Sequence, residues 1–116
     1  MFCLSSTRVH LAMGCTDMRK SINGLSLFVE KRLKMDPFCG HLFAFCNRRQ
    51  NMIKILYWDR NGFCLWCKRL EKGRFRWPDT AGEASRIEMR QLLWLLDGLE
   101  LNQARAHKRL NYSILF

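Results

Sequence analysis

The chain of 116 residues is the size of one domain, and its 48% hydrophobic content can supply a core. It holds no run of eighteen apolar residues and no basic start leading into a long apolar stretch, which argues against a membrane span and a secretory signal. Twenty Lys and Arg against ten acids, a formal net charge of +10, point to a polyanionic partner, DNA or RNA or an acidic surface.

Thr7 to Met13 alternates, with Val9, Leu11 and Met13 on one side and Arg8, His10 and Ala12 on the other, which predicts a short strand. Gly14 to Asp17 breaks the pattern and offers Thr16 or Asp17 as a helix N-cap. From Met18, apolar residues recur at helical spacing through Ile22, Leu25, Phe28 or Val29, and Leu33, with Lys20, Glu30, Lys31 and Lys34 on the other face. Gly24 inside this helix is expected to let it approach a sheet closely. Asp36-Pro37 ends it, because the residue before proline is pushed out of the α region.

Three strand-like runs follow: His41 to Cys46, Met52 to Trp58 and Phe63 to Leu70. Arg48 to Asn51 reads as the first turn and Asp59-Arg60-Asn61-Gly62 as a hairpin, since Asn-Gly suits positive φ angles. Arg74 to Trp77 reads as a brief fourth run closed by Pro78, and Asp79 to Ser85 as a polar loop. A second helix starts near Met89 or Arg90, is apolar nearly all round, and stops at Asp97-Gly98. The expected fold class is α+β: an antiparallel meander sheet of four to five strands packed with two helices. Residues 1–101 form one domain, followed by a basic tail, 102–116.

Between Leu42 and Pro78, nine Lys or Arg face only Asp59 and Glu71. Strand alternation suggests an outer face carrying Lys54, Trp58, Trp66 and Lys68, flanked by Arg48 and Arg49 at one turn and by Arg69, Arg74, Arg76 and Trp77 beyond. Such a face could hold phosphates with its cations and stack bases on its indoles. Alternatively, the indoles cover a second side of the sheet against the C-terminal helix while lysines extend past them.

The six cysteines, with no export signal, read as reduced thiols, most of them small buried hydrophobes. Cys64 and Cys67 have half the spacing of a zinc site, but residues three apart on a strand diverge, and His10, His41 and His107 are scattered. No metal or other cofactor is expected. A nuclease would need converging carboxylates, for which Asp17 and Asp59 are the least easily dismissed candidates.

Several blocks, in order, resemble a known family. They are Gly14-Cys-Thr-Asp-Met-Arg-Lys20 with Gly24-Leu25, Asp36-Pro-Phe-Cys-Gly-His-Leu-Phe43, Asn47-Arg-Arg49, Lys54-Ile-Leu-Tyr-Trp58, Asp59 with Gly62, Lys68 to Pro78, and Leu95-Leu-Asp-Gly98. The family is the small accessory protein, of the TnpB or second-reading-frame type, of insertion-sequence 66 elements. Cys39 stands at its usual Ser and Cys67 where an aromatic is common. The resemblance implies a bacterial, cytoplasmic, non-catalytic accessory protein of transposition. DNA at element ends or target and the cognate transposase, which carries the chemistry, are the implied partners. A protein–protein adaptor without direct DNA binding is the alternative.

Overall fold

A computed structural model describes residues 7–80 and 84–99. The order is β1 (Val9–Ala12), α1 (Ile22–Lys31), β2 (Leu42–Cys46), β3 (Met52–Asp59), β4 (Gly62–Arg69), β5 (Ala84–Ile87) and α2 (Met89–Leu96). The five strands form one sheet, β4-β3-β2-β1-β5. Strands β2 to β4 are the expected antiparallel meander, and β5 is antiparallel to β1. Strands β1 and β2 are parallel, so the sheet is mixed. A parallel pair needs a long crossover, and α1 provides it. The α+β class therefore stands, with one parallel joint in the meander.

Both faces of the sheet are covered. On one, Val9, Leu11, Leu42, Ala44, Ile53 and Ile55 meet Leu92, Leu95 and Leu96 of α2, together with Phe75 and Trp77. On the other, Ala12, Phe43, Phe45 and Leu56 meet Leu25, Val29 and Leu33. Strands β1 and β2 are consequently buried at every position.

Several local expectations are corrected. Helix α1 begins at Ile22, with Ser21 at the N-cap position. Asp17 instead accepts hydrogen bonds from the Arg19 backbone N–H and guanidinium. The Thr16 amide bonds the Cys46 carbonyl at 2.8 Å, and its hydroxyl is buried without a partner among the described residues. Gly24 abuts Lys20, whose Cβ lies 3.2 Å from where a Cβ on Gly24 would stand, rather than the sheet. Arg74 to Trp77 is not a strand, whereas Ala84–Ile87, whose first two residues fall in the expected loop, pairs with β1. The hairpin turns on Arg60 and Asn61, Arg60 taking φ +53°, and Gly62 pairs with Asp59. Among the described cysteines only Cys46 is buried, and burial pushes its thiol up to about 12; Cys15, Cys39 and Cys67 are exposed. The tail expected over residues 102–116 lies outside the described residues.

Candidate nucleic-acid interface

The two-residue hairpin sets the register of β3 against β4, and with it the fate of the expected outer face. Trp58 pairs with Phe63, Lys54 with Cys67 and Met52 with Arg69, whereas Ile55 pairs with Trp66 and Ile53 with Lys68. Cross-strand partners share a face. Lys54 and Trp58 therefore lie on the α1 side, and Trp66 and Lys68 on the α2 side. The single face of two lysines and two indoles is not formed. The expectation aligned even positions of β3 with even positions of β4, which a two-residue turn between Asp59 and Gly62 forbids.

Each of these side chains has a local assignment. The Lys54 ammonium donates to the Met18 carbonyl at 2.8 Å and the Lys20 carbonyl at 3.5 Å, tying the loop before α1 to the sheet. The Lys68 ammonium donates to the Leu96 carbonyl at 2.8 Å, on the unsatisfied C-terminal carbonyls of α2. Trp66 packs, partly buried, against the α2-side core. Trp58 joins Phe38 and Phe63 in a cluster with ring centroids 5.0 to 5.2 Å apart. Trp77 is buried, and its indole donates to the Ala12 carbonyl at 2.9 Å, so it is a core anchor.

The remaining cations do gather, at the end of the sheet where β2 turns into β3. Asn47 builds that turn: its side-chain oxygen accepts from the amides of Asn51 (3.0 Å) and Met52 (3.1 Å), and its amide donates to Asn51 at 2.7 Å. Arg48 and Arg49 are left as its exposed residues. The chain after β4 is clamped to the same turn, Leu70 bonding the Asn51 carbonyl (2.8 Å) and Phe75 the Gln50 carbonyl (2.6 Å). In that segment Phe75 and Trp77 point into the core, while Arg74 and Arg76 alternate with them outward. This is the physical basis of the interleaved cations and aromatics: one side of an extended segment anchors, the other is solvated.

Residues 47–51 and 69–77 thus present Arg48, Arg49, Arg69, Lys72, Arg74 and Arg76, all exposed, against Glu71 alone. Lys72 was not among the expected contacts, although its place beside Gly73 in a basic turn was a usable signal. No exposed indole accompanies these cations: Trp77 sits among them but is buried. Trp58 lies six residues along β3 from Met52, about 20 Å away.

Asp17 and Asp59 are separated in the same way. Asp17 follows Thr16 at the Cys46 end of the sheet, and its carboxyl is held down at about 2 by hydrogen bonds from Arg19. Asp59 stands at the hairpin end. The two cannot share a metal ion. Cys64 and Cys67 lie on opposite faces of β4. No described helix is long and apolar enough to cross a membrane.

Known proteins extend the picture. The family model described as IS66 Orf2 like protein matches residues 7–106, reaching past Asn102 into the segment read as a tail. The uncharacterized protein y4hO of Sinorhizobium fredii (strain NBRC 101917 / NGR234) is 42% identical over 95 residues, covering 82% of this chain and 83% of the relative. The uncharacterized protein y4jC of the same strain is 32% identical over 98 residues, 84% of each chain. No solved structure matches. A match over residues 7–106, most of the chain, makes this chain a member of the IS66 Orf2-like family of insertion-sequence accessory proteins.

Proposed function

We propose that the chain is a non-catalytic accessory protein that binds the DNA backbone during transposition, using the basic end formed by Arg48, Arg49, Arg69, Lys72, Arg74 and Arg76. The observation that carries this reading is the convergence of six exposed cations, from two segments far apart in sequence, on one rigidly bonded turn. The amide side chains beside these cations, Asn47, Gln50 and Asn51, are engaged in bonding the turn, and exposed cations by themselves suit phosphates, which position a protein, rather than base edges, which specify sequence. The test is equilibrium binding to element-end and scrambled duplexes. Arg48→Ala with Arg49→Ala should weaken binding to both about equally. Binding weaker than about 100 μM at low salt would overturn the reading, since that is the weak edge of ordinary non-specific affinity.

An adaptor role toward the transposase is the second reading. It is favoured by Phe38, 54% exposed beside Trp58 and Phe63 at the other end of the sheet. An exposed aromatic cluster of this kind can fill a partner's groove. Phe38→Ala should then weaken transposase capture while leaving DNA affinity unchanged.

A further inference from the structure

A second cationic feature lies on the α1 face at the β5 edge, four strand spacings, about 19 Å, from β4. It is a groove of about 680 Å³ between the C-terminal turn of α1 and the β1–β5 pair, lined by His10, Arg32, Leu33, Lys34, Met35, Ala84 and Arg86. It is an open, solvent-facing depression rather than an enclosed cavity. Among the described residues its lining includes three cations and no carboxylate. Lys34 and Arg86 have no ion-pair partner among the described residues, and the Arg32 guanidinium lies over the Phe28 ring at 5.6 Å.

The groove also has a buried polar floor. His10 is only 7% exposed, stacked on Phe43 with centroids 5.3 Å apart and edge-on to His41 at 5.9 Å. Its imidazole has no hydrogen-bond partner among the described residues, unlike His41, whose Nδ1 accepts from the Arg8 amide at 3.1 Å. The ring lines the groove, so a ligand seated there can meet its N–H. Burial, then the nearby charges of His41, Arg86 and Arg8, hold His10 below its ordinary pKa, keeping the ring neutral at pH 7 with one N–H to give. Lys34 sits at φ +58°, a conformation that glycine would adopt without strain.

We propose that this groove is an oxyanion pocket for the phosphate group of a nucleotide or of a nucleic-acid strand. Arg32, Lys34 and Arg86 supply charge, and His10 a directional N–H. It deepens the DNA-binding reading by adding a second phosphate contact on a different edge of the sheet, and rests on that reading only for the strand as ligand.

The test follows the His10 ring nitrogens by NMR in ¹⁵N-histidine-labelled protein. Inorganic phosphate, a deoxynucleoside monophosphate, a short single-stranded oligonucleotide and ionic-strength-matched chloride are titrated in turn. Phosphate should give a saturable His10 shift that chloride does not reproduce. Arg86→Gln, on an exposed edge position, should weaken that binding about tenfold or more, the loss of one charge-assisted contact. Lys34→Gly should lower phosphate affinity while raising thermal stability, a combination that a purely structural lysine would not give. Tighter binding of the oligonucleotide than of the monophosphate identifies the strand as ligand; the reverse identifies a free nucleotide. An equal shift with chloride, or Arg86→Gln titrating as wild type, overturns the pocket. Arg48→Ala with Arg49→Ala should leave the His10 titration untouched, so failure of the basic end and failure of the pocket are separately visible.

Discussion

Replacing Arg48 and Arg49 by alanine gives the sharpest measure of the basic end, because the turn that carries them does not depend on their side chains. Asn47, Gln50 and Asn51 make its bonds through backbone and amide groups, so the double variant should unfold at the wild-type temperature. If each of the six exposed cations meets one phosphate, the slope of log affinity against log salt on duplex DNA is roughly −0.9 × 6, or about −5.4. Removing two brings it to about −3.6. Raising salt fourfold, from about 50 to about 200 mM, should therefore cost the wild type roughly 10³-fold in affinity and the variant roughly 10²-fold. Fluorescence anisotropy on a labelled duplex at four salt concentrations measures both slopes. An unchanged slope would mean that Arg48 and Arg49 do not meet phosphate. A loss confined to one sequence would mean that they read bases instead.

Lys54→Met should destabilise the fold by about 1.5–3 kcal/mol, the worth of a hydrogen bond from a charged group, in urea denaturation, with the DNA salt slope unchanged. A lower slope with wild-type stability would return Lys54 to the interface. Trp77→Ala should cost about 3–5 kcal/mol as a large-to-small core change. It should also lower DNA affinity, because Trp77 anchors the segment bearing Arg74 and Arg76. The His10 pKa is depressed in the folded state, so the unfolded chain binds more protons between that lowered value and 6.5. Stability should consequently fall as pH drops below about 6.5. His10→Phe, which keeps the stack on Phe43, should flatten that part of the profile, and an unchanged profile would assign the acid sensitivity elsewhere. Arg60→Gly relieves a left-handed φ at the hairpin and should raise stability by up to about 1 kcal/mol, offset in part by the entropy of glycine in the unfolded chain.

What was legible in the sequence was local. Alternation at Val9–Ala12, the runs around β2, β3 and β4, and the leucines of α2 announced themselves, because side-chain period follows from backbone geometry within a few residues. The family blocks were equally visible, being a matter of order along the chain. Strand β5 was not, since Ala84–Ile87 has little apolar character and becomes a strand by pairing with β1. Nor was the status of Arg74–Trp77, whose alternation is that of a strand but whose backbone bonds go to a turn. The roles of the lysines and tryptophans belonged to tertiary structure altogether. A lysine on a strand is a phosphate contact or a cap on a carbonyl according to what packs beside it, and Lys54 and Lys68 were claimed by the entrance to α1 and the end of α2. The charge and its concentration after β2 were written in the residues. Which cations stay in solvent was decided only when both faces of the sheet were covered, because covering a face takes up the polar groups at its rim as well as the apolar ones at its centre.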